Sequence, residues 1–256
     1  CIQNAAGICY TVDNETGENI MKRLDKILSD AGVAARRELK GIIKAGRVTV
    51  DGVVVREADR KIDETTAVIT MDGEPIAAET LFYYMMNKPA GVLTATEDRE
   101  QKTVLDLLPK NIVRQGVFPV GRLDKDTTGL LLLTNDGDFA HQVVAPKSHV
   151  AKVYEARTDG IADESDALRF REGIVLRDGT KCLPAALRCT GTDICYVTVM
   201  EGKYHQVKRM LAACGKPVQT LRRLSIGQLE LDPALEPGSV RPLRAEELTA
   251  ALTTID

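Results

Sequence analysis

Apolar residues in the first part of the chain follow the periods of two short helices and a hairpin. Four of them recur at spacings of three and four and predict an amphipathic helix that ends near Gly32: Leu24, Ile27, Leu28 and Ala31. A second helix is predicted over residues 35–45, where three apolar residues share one face, Leu39, Ile42 and Ile43. Val48–Val50 and Val53–Val55 then predict a hairpin, because Asp51-Gly52 between them supplies the positive φ of a tight turn.

From Leu81 onward, short apolar segments alternate with Gly, Pro and Asp, a spacing typical of a large mixed sheet with a few helices. Leu130–Leu133 is a continuous apolar run of strand length, and Asn135-Asp136-Gly137 closes it with turn residues. The spacing of Val, Met and Leu in HQVKRMLAACG, residues 205–215, predicts a late helix. We therefore predict an α+β fold.

These patterns set the expected domain boundaries. Residues 1–20 contain three acidic residues and no Lys or Arg, so they lack the basic start of a signal peptide and are predicted to be a disordered extension. We expect a small domain at 21–71, a polar linker at 72–80 and a larger domain at 81–256. The longest apolar runs are far shorter than the roughly 20 residues of a membrane span, so a cytoplasmic protein with no membrane partner is expected.

The charge of the chain is unevenly distributed. The net charge is −3, yet residues 21–61 carry 11 Lys and Arg against 6 Asp and Glu. Arg36, Lys40 and Lys44 recur every fourth residue and so share one face of the second predicted helix, where like charges repel each other. This stripe favours an anionic partner such as nucleic acid. A solvated helix face is the alternative.

One carboxylate stands out in the larger domain. Because Leu130–Leu133 is predicted to be a strand, the preceding loop delivers Arg122 and Asp124 to the edge of the core. A carboxylate held there can act as nucleophile or base. A single Asp in a loop is more often a helix cap or a turn former, so the pattern alone leaves both interpretations open.

The first domain resembles a known RNA-binding module. The segment RLDKILSDAGVAARRELKGIIKAGRVTVDGVVV, residues 23–55, is similar to S4 domains, which consist of two helices and a hairpin. The resemblance implies RNA binding, with Arg36, Lys40 and Lys44 as candidate contacts. It implies no particular activity.

The larger domain resembles the pseudouridine synthases of the small-subunit ribosomal RNA type (RsuA-like). GRLDKDTTGLLLLTNDG at 121–137 carries the signature, and AKVYEA, EGKYHQVKRMLAACG and YYMMNKPAGV agree with it in order and spacing. The resemblance covers nearly all of residues 21–247. It implies a mainly antiparallel sheet and the isomerisation of a uridine in RNA.

The same resemblance implies a role for each candidate site residue. Asp124 corresponds to the catalytic nucleophile, Tyr154 to the ring that stacks on the extruded uracil, and Lys208 to the cation paired with the nucleophile. Arg209 is the alternative cation, and His205 is expected to position the substrate rather than to transfer protons. Arg122 is expected to stack where the base has left, with a salt bridge to Asp126 as the structural alternative. Arg222 and Arg223 are expected to contact phosphates.

The reaction implied by the resemblance needs neither redox partner nor energy source, so no cofactor and no metal are expected. The cysteines include no C-x-x-C pair, and no G-x-G-x-x-G follows a predicted strand. The expected substrate is ribosomal RNA or an assembly intermediate, and the protein is expected to be a monomer. Uridine 516 of 16S RNA is the first target hypothesis, a large-subunit (23S) target is the second, and a non-catalytic S4-type RNA-binding protein is the alternative from another class.

Overall fold

The computed structural model describes residues 21–31, 33–34, 36–63, 67–76 and 81–254, so the predicted disordered extension at 1–20 lies outside the described residues. The chain divides into two compact units, the first up to Thr80 and the second from Leu81. No helix of the described ranges is long and apolar enough to cross a membrane.

The first unit contains two helices and six short strands within its described residues. The helices are α1 (Leu24–Asp30) and α2 (Arg36–Lys44). The strands are β1 (Met21–Arg23), β2 (Val48–Val50), β3 (Val53–Val55), β4 (Lys61–Asp63), β5 (Ile69–Met71) and β6 (Glu74–Pro75). Both predicted helices and the β2–β3 hairpin are confirmed, and Asp51 and Gly52 both adopt positive φ.

The sequence patterns missed the remaining strands of this unit, which are two or three residues long. β1 pairs with β4, and β5 joins the hairpin through β2. β6 pairs with β5, although Glu74–Pro75 lies inside the segment predicted as a linker. The core includes Leu24, Leu28, Leu39 and Ile43 from the two helices, all fully buried.

The second unit is built on one large sheet. Its strands are β7 (Tyr83–Lys88), β8 (Phe118–Pro119), β9 (Thr128–Thr134), β10 (Lys152–Thr158), β11 (Ala186–Cys189), β12 (Ile194–Val199), β13 (Val218–Ile226), β14 (Leu229–Glu230) and β15 (Val240–Pro242). Its helices are α3 (Lys110–Val113), α4 (Gly137–Val144), α5 (Glu164–Glu172), α6 (Gln206–Ala213) and α7 (Ala245–Leu252). The strand order is β11-β12-β10-β13-β9-β7-β15, with β8 on β9 and β14 on β13.

Strand β9 lies in the interior of this sheet between β7 and β13. Leu130 and Leu132 belong to one buried cluster, and Leu131 and Leu133 belong to another. Since successive side chains of a strand point to opposite faces, both faces of β9 are buried, which explains the continuous apolar run. The pairing of β9 with β13 is parallel and the other pairings described in this sheet are antiparallel, so the predicted mixed α+β fold is confirmed.

Candidate active site

The loop that precedes β9 is held by buried side chains beneath it. The ammonium of Lys88, which is fully buried, donates to the carbonyl oxygens of Asp124 at 3.1 Å and Thr127 at 2.9 Å, and also to those of Pro89 and Lys125. The hydroxyl of Thr94 donates to the carbonyl of Leu123 at 2.8 Å. These contacts satisfy loop carbonyls that β-sheet pairing leaves free, so they fix the backbone that carries Asp124.

Lys88 was not among the candidates from the sequence. It ends an otherwise apolar strand, where a lysine normally extends into solvent. Burial lowers its pKa to about 8, while the nearby carboxylates of Asp126 and Asp124 act in the opposite direction. The pattern YYMMNKPAG, with a cation as the last residue of a buried strand and directly before a turn, was the available signal.

The side chain of Asp124 contacts two groups from the segment around α6. Lys208 Nζ lies 2.9 Å from Asp124 Oδ2, and His205 Nε2 lies 3.4 Å from Asp124 Oδ1. Lys208 Nζ also lies 2.5 Å from Asp126 Oδ1. About a quarter of the Asp124 side chain remains exposed, so the carboxylate is paired and still accessible.

The ammonium of Lys208 is stabilised in its charged form. Burial alone lowers its pKa, but hydrogen bonds to Asp126 and Asp124 outweigh that effect and the pKa is raised. The same contact, with Lys208 as donor, lowers the pKa of Asp126. An ammonium that pairs with both carboxylates offsets the free-energy cost of removing Asp124 from water.

Tyr154 lies on β10 and faces the same cleft as Asp124. Its neighbours in the sheet are Val197 on β12 and Arg223 on β13, and its half-buried ring packs against two of the core clusters. The side chains around this open cleft are those of Arg122, Leu123, Asp124, Thr127, Tyr154, Val199, Glu201, Lys203, His205, Gln206, Val207 and Leu221. The structure therefore brings the Asp124 carboxylate, the Tyr154 ring and apolar side chains together, as a site for a planar base requires.

The start of α6 is fixed by a polar network that sequence reasoning missed. Gln206 is buried, its amide nitrogen donates to Glu201 Oε1 at 2.8 Å, and its amide oxygen accepts from the backbone of Lys203 at 3.0 Å. His205 adopts the left-handed conformation with φ 49° and precedes the first residue of the helix. This backbone conformation places the His205 imidazole beside Asp124. Lys208, one helical turn later, reaches the same carboxylate.

The predicted arginine roles have mixed outcomes. Arg122 is exposed and lines the cleft, and Asp126, its predicted alternative partner, pairs instead with Lys208. Arg209, the alternative cation, pairs with Asp178 at 2.5 Å rather than with Asp124.

The prediction that Arg223 is a surface phosphate contact is wrong, because the side chain is buried. Its Nε donates to the carbonyl of Leu130 at 2.8 Å, and its Nη2 has no hydrogen-bond partner among the described residues. Arg222, one residue earlier on the same strand, is exposed. The alternation of a strand places adjacent residues on opposite faces, so one of the two arginines had to point inward.

In the first unit, the predicted basic stripe lies on the exposed side of α2. Arg36, Lys40 and Lys44 are all exposed, but the guanidinium of Arg36 lies 3.3 Å from the buried carboxylate of Asp25. No described acidic residue pairs with Lys40 or Lys44. Two cations of the stripe are therefore available to an external anion, and the third is already partly neutralised.

Comparison with known protein families gives one match in each unit. The family model described as RNA pseudouridylate synthase matches residues 82–213, and the model described as S4 domain matches residues 22–68. Together these matches span both units of the structure.

Individual relatives cover most of the chain. It is 46% identical over 230 residues to the uncharacterized RNA pseudouridine synthase YtzG of Bacillus subtilis, covering 88% of this chain and 96% of the relative. It is 42% identical to ribosomal small subunit pseudouridine synthase A of Vibrio cholerae, covering 89% and 98%. A crystal structure of a pseudouridylate synthase superposes with a TM-score of 0.65 at 34% identity, covering 90% of this chain and 99% of that one.

The chain belongs to the RNA pseudouridylate synthase family and carries an S4 domain ahead of the synthase domain. Its activity is the conversion of uridine to pseudouridine in RNA.

Proposed function

We propose that this enzyme isomerises a uridine of ribosomal RNA, position 516 of the 16S molecule, with Asp124 as its nucleophile. The observation that carries the proposal is the position of the Asp124 carboxylate, 2.9 Å from the Lys208 ammonium and on the cleft that Tyr154 faces. The rigid loop below Asp124 supports it, because a nucleophile must be held at the reacting atom.

The reaction exchanges one bond for another within a single nucleotide. The bond from ribose C1′ to uracil N1 breaks, the base turns, and C1′ joins C5. The hydrogen on C5 leaves as a proton and N1 gains one, so the atoms balance without an external reagent. Asp124 assists the first step, either by attack at C1′ or at the ring or by removing the 2′ proton.

The other cleft residues keep the base and the charge in place. Lys208 places a positive charge 2.9 Å from the Asp124 carboxylate and so balances its negative charge beside the substrate. Tyr154 offers the flat ring on which the detached uracil stacks during its rotation, a contact that needs no fixed orientation. Arg122, exposed beside the cleft, fills the position that the extruded base leaves, because a planar guanidinium stacks on neighbouring bases.

The first unit supplies affinity rather than chemistry in this proposal. Lys40 and Lys44 contact RNA phosphates, and Arg36 contributes less because it already pairs with Asp25. Phosphate contacts position an RNA without specifying its sequence. In this proposal the first unit contributes affinity for RNA, and the second unit, which carries Asp124, contributes the chemistry.

The small-subunit target is supported by two observations. The Vibrio cholerae relative is named for the small ribosomal subunit, and the motif YHQVKRM at 204–210 resembles the small-subunit type. A 23S target within the same family is the competing hypothesis. The non-catalytic RNA-binding protein, the alternative from another class, is set aside because the chain belongs to the synthase family.

The target is tested by mapping pseudouridine in ribosomal RNA after chemical tagging. Three strains are compared: one lacking this protein, one complemented with the wild type and one complemented with Asp124→Asn. We expect one 16S signal, at 516, to disappear in the first strain, to return with the wild type and to stay absent with the variant. A signal lost from 23S RNA instead would reject the 16S target and keep the class of reaction.

A further inference from the structure

Tyr204 is an exposed aromatic residue beside the cleft. Its side chain is 74% exposed, and its neighbours Lys203 and His205 both line the cleft. A single exposed aromatic residue needs no functional explanation. This ring, however, stacks on the imidazole of His205, with centroids 3.8 Å apart and planes 19° from parallel. His205 Nε2 in turn lies 3.4 Å from Asp124 Oδ1. The His205 ring therefore lies between the Asp124 carboxylate and the solvent-exposed Tyr204 ring.

The backbone on both sides of this ring pair is fixed. The backbone of His205 has a left-handed conformation that residues other than glycine rarely adopt. The buried Gln206 accepts from the amide of Lys203 at 3.0 Å and donates to that residue's carbonyl at 3.1 Å, which closes a tight loop around Tyr204. The aromatic pair is therefore preorganised, and a ligand that uses it does not have to order it first.

The inner face of the Tyr204 ring is covered by His205, and most of the remaining ring surface is open. A uridine that leaves its stack to reach Asp124 leaves its neighbours with an uncovered face. Arg122 covers one of these faces in the proposed function. An aromatic ring one residue from the His205 that contacts Asp124 covers another, and it accepts any base because every base has a π-face.

We propose that the outer face of Tyr204 is a stacking site for a nucleobase that flanks the target uridine. This inference rests on the proposed function, because it presumes that RNA enters the cleft with its target at Asp124. The site contributes affinity and register along the strand and takes no part in bond making. Tyr204 is thus a substrate-positioning residue.

The test compares Tyr204→Ala and Tyr204→Phe with a matched control, Leu168→Ala, which truncates a similarly isolated side chain, 51% exposed, on α5. The kinetic arm uses an RNA that the wild type modifies. We expect Tyr204→Ala to raise KM about tenfold, equivalent to about 1.4 kcal/mol, with kcat nearly unchanged. Tyr204→Phe and the control should behave as the wild type does.

The second arm reports on stacking directly and needs no turnover. 2-Aminopurine replaces the nucleotide on either side of the target, and its fluorescence is measured on binding to chains that also carry Asp124→Asn. Quenching by stacking should be lost with Tyr204→Ala and retained with Tyr204→Phe.

Three results would overturn the stacking site: unchanged KM and quenching in Tyr204→Ala, equal losses in the Phe and Ala variants, or a fall in kcat at constant KM. The third result would mean that Tyr204 acts only through His205. If the wild type itself modifies no RNA, the proposed function fails instead, so the two failures are distinguishable.

Discussion

Gly129, at the start of β9, lies against the backbone of β13 with no room for a Cβ, and Gly129→Ala should be strongly destabilising. Its φ is +100°, and a Cβ there would lie 2.2 Å from the carbonyl oxygen of Arg223 on β13. The positive φ costs about 1–3 kcal/mol and the overlap with backbone costs about 1–3 kcal/mol more. The total of about 2–6 kcal/mol lowers the melting temperature of a unit of this size by about 5–20 °C.

The matched control for Gly129→Ala is Gly179→Ala. Gly179 has φ +82°, and no atom lies within 4 Å of a Cβ built there, so this variant carries the conformational cost without the overlap. Calorimetry and urea unfolding of both variants separate the two contributions. Equal melting temperatures for the two variants would refute the close approach between β9 and β13.

Three further predictions concern lysine residues of the two units. The pKa of Lys88 is lowered from 10.5 to about 8, so above pH 8 the unfolded chain binds more protons than the folded one. The free energy of unfolding of the wild type relative to Lys88→Met should therefore rise between pH 8 and 10, by at most about 1.4 kcal/mol per pH unit, and a fall measured by urea titration would contradict this. Replacing Lys40 and Lys44 by Ala should flatten the dependence of log K for RNA on log salt by about 1.4, or 0.7 for each lost phosphate contact; an unchanged slope would make α2 a merely solvated face. Lys208→Met should lower the single-turnover rate at saturating RNA about a hundredfold or more, whereas Arg209→Met should leave this rate within a few-fold of the wild type. Equal losses in the two variants would contradict the pairing of Lys208 with Asp124.

Local patterns predicted the elements that short-range physics determines. The run Leu130–Leu133 predicted a strand buried on both faces, and the spacing of apolar residues predicted α1, α2 and α6. Asp51-Gly52 predicted the hairpin because few other residue pairs accept its backbone conformation. β1 and β4 gave no such signal, since Met21 pairs with Asp63 far along the chain. β5 and β6 do flank a second Asp-Gly turn, Asp72-Gly73, with positive φ at both residues, a signal that the prediction of a linker at 72–80 did not use.

The contacts that complete the site could not be predicted from local sequence. Lys88 meets carbonyl groups almost forty residues away, so its neighbours in the sequence mark a cation at the end of a buried strand but do not identify its partners. The pair of Arg36 with Asp25 joins two helices and is invisible in the helical spacing of either one. The prediction that Arg223 contacts phosphate rests on its charge alone, although the alternation of a strand places it on the face opposite to Arg222.

If Asp124 carries the isomerisation, its replacement must stop the loss of hydrogen from C5 of the target uridine. RNA labelled with tritium at C5 of uridine loses the label to water only when C1′ joins C5, so tritium release under single-turnover conditions reports the chemical step. Asp124→Asn should fold and bind RNA as the wild type does, because it removes the charge with little change in volume. We expect its release rate to fall below about a thousandth of the wild-type rate, since loss of a nucleophile exceeds the roughly 10²–10⁴-fold typical of acid–base assistance. A folded variant that binds RNA and releases tritium at a tenth of the wild-type rate would contradict the account.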